Sequence, residues 1–250
     1  MKLTRHNGRS GKHGTYNPRH NDRRFDVENS EHIDAQRAKK NVYWDYYRGF
    51  TTPELRENLE QPDFSFEEIE RMYYYEHYSD HVDAQNARNE KTRHTERNRT
   101  VEDLLKNNKT CPEESIYQIG TMEESVPPGT LALSVSKFYE EFERRFGSHI
   151  HILDWALHLD EGTPHIHERH VFDCKTGMGS CAPSRKRRWK NWGLNCLTRV
   201  SPRANTTTAS RPLMQYAARY SLTSAANMGC IWSRSRPMAG ERIWRNRTTF

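Results

Sequence analysis

An α+β fold, an antiparallel sheet with flanking helices, is what this sequence predicts, on three observations. Val135, Phe138, Tyr139, Phe142 and Phe146 recur at helical spacing, with Gly147 directly behind them as a stop. Residues 150–159 and 165–172 read as two strands, joined by Asp160-Glu-Gly-Thr-Pro164, a turn-rich connection of hairpin length. Residues 115–119 alternate well enough to add a further strand, and Val126-Pro-Pro-Gly129 is expected to break the chain after it.

The remaining elements follow from local signals. Residues 1–32, rich in Gly, Asn, Arg and His, suggest a short strand and then an extended polar loop. Tyr43, Trp44, Tyr46 and Tyr47 are expected to pack as one face of a helix over residues 33–47, with Gly49 ending it. Ser65 with Glu68 forms a capping-box pattern that opens a long, largely exposed helix to about Asn98. Thr100 with Asp103 starts a short helix that ends around Asn107.

Composition bounds the class. Hydrophobic residues make up 34% and charged residues 29%, with a mean hydropathy of −1.07, which suits a modest core with long solvated segments. No apolar run approaches the roughly 18–20 residues that span a bilayer, and no signal pattern opens the chain, so no membrane insertion and a cytoplasmic location are expected. Cys111, Cys174, Cys181, Cys196 and Cys230 are odd in number, unevenly spaced and free of any CxxC pair, as reduced thiols would be. The net charge of +6 is uneven: residues 175–250 hold fifteen Lys or Arg and one acid, Glu241, for +14, which leaves −8 on residues 1–174.

The run His158-Leu-Asp-Glu-Gly-Thr-Pro-His165-Ile-His167 carries the chemistry. Strand side chains alternate, so His165 and His167 share a face, and antiparallel pairing through the turn brings His158 beside them. Three neutral imidazoles can converge on one divalent ion and leave coordination positions open for catalysis. Glu161 could be a fourth ligand or a base. Asp160 is better placed as an acceptor that fixes an imidazole tautomer. His149-Ile-His151 has the same spacing without that context and reads as strand surface. A metal-dependent hydrolase of small molecules, with Glu161 as general base, would use the same three histidines.

Three motifs in order resemble the Mob/Pre (MobV-type) family of plasmid mobilisation and recombination proteins. These are His6-Asn7-Gly-Arg9, then Ile33-Asp34-Ala-Gln-Arg37 with Asn41, then the run from His158 to His167. The resemblance implies a relaxase domain over residues 1–173, with a sheet of the histidine–hydrophobe–histidine nuclease type. It implies nicking and rejoining of one DNA strand at a plasmid or mobile-element origin of transfer, with a role in plasmid recombination. The cofactor would be manganese or magnesium, held by His158, His165 and His167. His6 would be the nucleophile that forms a phospho-histidine intermediate, with Glu161 also catalytic. Arg5, Arg9 and Arg37 would contact DNA phosphates, and Asn7, Asp34, Asn41 and Asp160 would support the site. DNA and a conjugative coupling protein are the implied partners. Relaxases outside the family usually employ tyrosine, which keeps Tyr16, Tyr43 and Tyr46 as alternative nucleophiles, with core packing the favoured role of the latter two.

After Asp173 the family pattern ends and periodicity fails. Residues 174–250 are expected to form an irregular or disordered basic tail, read as out-of-frame translation rather than as a DNA-gripping arm with Trp stacking on bases. An inactive, truncated relaxase remnant that at most binds DNA or metal is the alternative function.

Overall fold

The computed structural model describes residues 16–58, 63–121, 123–177 and 179–184, together with the backbone of residues 3–9. Six strands form one antiparallel sheet: β1 (Leu3–Arg9), β2 (Val42–Asp45), β3 (Gly49–Thr51), β4 (Glu113–Ile119), β5 (Ile150–His158) and β6 (His165–Lys175), in the order β1-β4-β6-β5-β2-β3. β7 (Cys181–Pro183) pairs with the far end of β6. The fold is the α+β class expected. β6 is central, and its first ten residues are all buried.

Helices cover the two faces unequally. α6 (Pro128–Phe146) lies on one, where Leu131, Val135, Phe138, Tyr139 and Phe142 meet Trp44, Tyr117, Trp155, Leu157, Ile166 and Phe172. The other face takes α4 (Phe66–Lys91) and α5 (Val101–Lys106), with Tyr73, Tyr74, Tyr78, Val82 and Leu104 against Leu153 and Val171. Phe66 packs on Tyr43 and Ala156, nearer the hairpin turn. β5 and β6 therefore bury both faces, as a central strand pair must. Beyond Phe66 on this second face, the hairpin end carries the histidines instead of a packed helix.

Several expected elements are confirmed by their caps. Ser65 accepts from the Glu68 amide while the Glu68 carboxylate accepts from the Ser65 amide, and Thr100 with Asp103 repeats the arrangement. Others are corrected. Residues 33–47 do not form a helix: α2 is one turn (Ala35–Ala38), and the aromatic cluster belongs to β2. There Tyr43 faces α4 and Trp44 faces α6, the alternation of a strand buried on both sides. α4 ends at Lys91, not near Asn98, because Arg93 turns into the left-handed region at φ 58°. Nor is α4 largely exposed, since Tyr73, Tyr74 and Tyr78 fill the core. Val126-Pro-Pro-Gly129 starts α6 instead of breaking the chain, with Pro128 at the first turn, where no amide donor is needed. α1 (Pro18–Asn21) and α3 (Pro53–Glu57) begin in the same way.

The sheet continues past the change in composition at Asp173, since β6 runs to Lys175 and Asp173 pairs with Pro183. The reading of the tail as out-of-frame translation falls on residues 185–250, outside the described residues. Cys111 and Cys174 are buried and Cys181 is half-buried. Among the described residues no helix is long and apolar enough to cross a membrane.

Candidate metal centre

The hairpin brings the three predicted histidines together. His158 pairs directly with His165, and His167 is two residues further along β6 on the same face. Their ring centroids lie 5.0 to 5.3 Å apart. Each imidazole is fixed by a different acceptor, which sets its tautomer. His158 Nε2 donates to the Asn21 carbonyl at 2.9 Å, so Nδ1 carries the lone pair; that atom is buried and has no partner. His165 Nδ1 donates to the Thr163 carbonyl at 2.8 Å, and His167 Nδ1 donates to Glu114 Oε1 at 3.0 Å, which frees Nε2 on both.

Electrostatics favour neutral ligands. Burial depresses the His158 pKa well below the ordinary value, and the Arg23 guanidinium and the other two imidazoles depress it further. Burial likewise lowers His165. Glu161 is ionised, because hydrogen bonds from His20 and Arg23 outweigh its burial and bring its pKa to about 2.

A fourth histidine, not singled out from the sequence, completes the cluster. His20, at the end of α1, lies 5.4 Å from His158 and 5.3 Å from His167 between ring centroids, and its Nε2 is 3.3 Å from Glu161 Oε1. Ligand atoms fall into two overlapping triads, His20-His158-His167 and His158-Glu161-His165. His20 opens the run His20-Asn21-Asp22-Arg23, a second His-Asn-x-Arg in this chain beside His6–Arg9. That repeat was the available signal.

All four residues of the second run are placed. The Asn21 carbonyl orients His158, and its side chain donates to Glu114 Oε1 at 3.0 Å. Asp22 accepts from the Phe66 amide and so ties α1 to the start of α4. Arg23 sits at φ 57°, a left-handed conformation that costs a non-glycine residue about 1 kcal/mol or more. Its guanidinium holds the turn: it donates to both Asp160 oxygens at 2.8 Å and to Glu161 Oε1 at 2.7 Å.

The other expected site residues divide. Asp160 does not hold an imidazole; it is buried and taken up by Arg23 and Asn41, because the acceptors that fix the imidazoles come from Asn21, Thr163 and Glu114 instead. Asn41 also accepts from the Leu159 amide, and Asp34 caps α2 while its amide donates to the Asp160 carbonyl. Residues 34–41 therefore wrap the hairpin turn, with Arg37 exposed upon them. Register pairs His6 with Ile116, and Ile116 with His167, which sets the His6 backbone two strands from His167. Asn7 pairs with Ser115, Arg5 with Tyr117 and Arg9 with Glu113.

Tyr16 lies beneath Arg169, 3.5 Å from guanidinium carbon to ring centroid, and burial raises its pKa well above 10. Tyr43 is buried in the core, and Tyr46 packs edge-on against Tyr73. Tyr43 and Tyr46 thus take the core-packing role expected of them. His151 is not simple strand surface, for its Nε2 pairs with Asp173 at 3.1 Å.

No family model matches this chain, and no curated protein is significantly similar to it. Three solved structures have a related chain path. Two are Mn-bound crystal structures of the MobM relaxase domain (MOBV; Mob_Pre) bound to plasmid pMV158 oriT DNA. They are 15% identical, with a TM-score of 0.48, and cover 96% of this chain and 98% and 97% of theirs. A further Mn-bound crystal structure of the same domain has a TM-score of 0.43, also at 15% identity, and covers 86% of this chain and all of that one.

Proposed function

We propose that this chain is a metal-dependent relaxase that nicks and rejoins one DNA strand at a plasmid or mobile-element origin of transfer, through a phospho-histidine link. The observation that carries the proposal is the convergence of four imidazoles and an ionised carboxylate around the buried, unpartnered Nδ1 of His158. A buried lone pair without a donor is costly, and a divalent cation is the partner that the surrounding donor set suits. His158 Nδ1, His165 Nε2, His167 Nε2 and Glu161 would hold it. Imidazole nitrogens suit manganese better than magnesium, which prefers an all-oxygen shell. Bound there, the ion would supply Lewis-acid stabilisation of charge on a phosphate.

The chain's own groups divide the remaining work. His20 takes the role that the motif resemblance assigned to His6: its side chain is 33% exposed, beside the cation ligands, whereas the three histidine ligands are buried. A His20 nitrogen lone pair attacks phosphorus, the P–N bond forms as the P–O bond to one sugar oxygen breaks, and that oxygen leaves as a hydroxyl by taking a proton from water, while the N–H of the imidazole is released to solvent through Glu161. Reversal by that hydroxyl rejoins the strand. Glu161 accepts from His20 and so orients the ring. Arg23 is locked to Asp160 and Glu161, which preorganises positive charge next to the reacting phosphate. Arg5, Arg9 and Arg37 remain proposed contacts to the DNA backbone, with Asn7 in support. A cytoplasmic site of action, a coupling-protein partner and a role in plasmid recombination extend the same proposal.

The test is the adduct. Incubated with manganese and supercoiled DNA of the source element, the full chain should give a protein–DNA adduct that is labile in acid and stable in base, as a phosphoramidate is. His20→Ala should abolish it and His6→Ala should retain it; the opposite pattern would return the role to His6. An acid-stable adduct would overturn the histidine chemistry. Manganese binding with no adduct in any variant would leave the inactive remnant as the correct reading.

A further inference from the structure

Among the described residues Phe25 is one of four large apolar side chains that are exposed, 38% accessible, and it stands beside His20 of the proposed metal centre. A lone exposed phenylalanine is unremarkable in itself; its alignment is not. The Phe25 ring lies within 5° of parallel to the His20 ring, with centroids 6.4 Å apart. The Arg23 guanidinium carbon is 5.9 Å from the Phe25 centroid, and Arg23 Nη1 is 3.3 Å from the His20 ring. Arg23 itself is anchored by Asp160 and Glu161. The adjacent carboxylate of Asp26 accepts from Asn29 at 2.6 Å. A flat, uncharged ring is thus held in fixed orientation beside an imidazole and a guanidinium.

We propose that Phe25 is a stacking platform for one unpaired nucleobase next to the phosphate that His20 engages, so that the ligand of this surface is single-stranded DNA. The proposal rests on the relaxase reading and adds the position of a base to it. Three features favour this occupant over an apolar protein partner. Arg19 on α1, Arg24 beside Phe25, and Arg37, Lys39 and Lys40 on the segment that wraps the hairpin turn are exposed cations, set against the exposed acids Asp26, Glu28 and Glu31. Such a rim tracks a phosphate backbone. A ring parallel to His20 lets a base lie flat while its own phosphate reaches Arg23. Stacking is indifferent to base identity, so it orders the strand at the reacting centre without reading sequence. An unpaired base is required, because a base within a duplex already stacks on its neighbours.

The experiment measures binding of the manganese-loaded full chain to fluorescein-labelled single-stranded oligonucleotides of the source element, by anisotropy. Phe25→Ala should weaken binding about tenfold, Phe25→Leu should do nearly as much harm because it keeps apolar area without a π face, and Phe25→Trp should bind at least as well as the native chain. An oligonucleotide series with one abasic position moved along the strand should contain a single position at which Phe25→Ala costs nothing further. Equal affinity of native chain, Phe25→Leu and Phe25→Ala, or no such abasic position, would overturn the platform. A separate manganese titration of the native chain reports on the underlying reading. If manganese binds and the adduct forms while Phe25 proves irrelevant to affinity, only the platform fails; if single strands bind through Phe25 with no adduct, only the catalytic reading fails.

Discussion

Replacing Glu114 by Gln removes one charge from beneath the metal centre while leaving its volume almost unchanged. Glu114 Oε1 accepts from His167 Nδ1 and from Asn21 Nδ2, each at 3.0 Å, and the residue is buried. Its pKa is held below the ordinary value because those bonds outweigh its burial. The carboxylate therefore fixes the His167 tautomer, raises the basicity of the opposite nitrogen and steadies Asn21, whose carbonyl orients His158. Charge-assisted hydrogen bonds contribute about 1.5–3 kcal/mol and neutral ones about 0.5–1.5 kcal/mol, so the loss across two bonds is about 2 kcal/mol, shared between folding and ligand basicity. Groups that hold metal-bound histidines typically alter affinity about 10- to 100-fold. Glu114→Gln should accordingly raise the manganese Kd about tenfold by calorimetric titration, with metal-free stability lower by about 1 kcal/mol in urea. A Kd within twofold of the native value would refute the claim that Glu114 tunes the centre. A collapse of stability with unchanged Kd would make it a purely structural residue.

Two predictions concern the interior behind the site. Arg169 is fully buried and paired with Glu70 at 2.6 and 3.1 Å; Glu70→Ala strands that charge and should cost about 3–5 kcal/mol in urea unfolding, whereas Glu70→Leu with Arg169→Met should recover most of it, and additive losses would refute the pairing. Asp154 is buried with both oxygens unpartnered, and burial, reinforced by Glu70, raises its pKa well above the usual carboxylate range against the pull of Arg169. The folded chain thus holds a proton that the unfolded chain releases above about pH 4, so stability falls as pH rises through that value. Asp154→Asn should raise the urea midpoint at pH 7 and leave it unchanged near pH 3.5; a gain of equal size at both values would exclude protonation as its cause.

Much of this protein was legible from its sequence, for local reasons. Capping boxes at Ser65 and Thr100, the helical spacing from Val135 to Phe146 and the turn between His158 and His165 are signals carried by residues close in the chain. The histidine hairpin belongs to this class, since alternation and one turn suffice to bring three imidazoles to one face. The aromatic cluster at Tyr43 and Trp44 was misjudged because its two-sided burial depends on helices 20 to 90 residues away along the chain, in α4 and α6. A short apolar run has no period of its own to reveal that.

That the run His20–Arg23 reaches the centre was likewise settled in three dimensions. Nothing within the run itself announces it. Contacts more than ninety residues apart place it: Asn21 to Glu114, Asn21 to His158, and Arg23 to Asp160 and Glu161. The sequence alone therefore determined the donor types and the hairpin that presents three of them. The tertiary structure decided that His20 joins them, that Glu114 stands beneath and that Phe25 faces outward beside them. The physical reason is that donor chemistry belongs to individual side chains, whereas the convergence of groups from separate segments is set by how those segments pack.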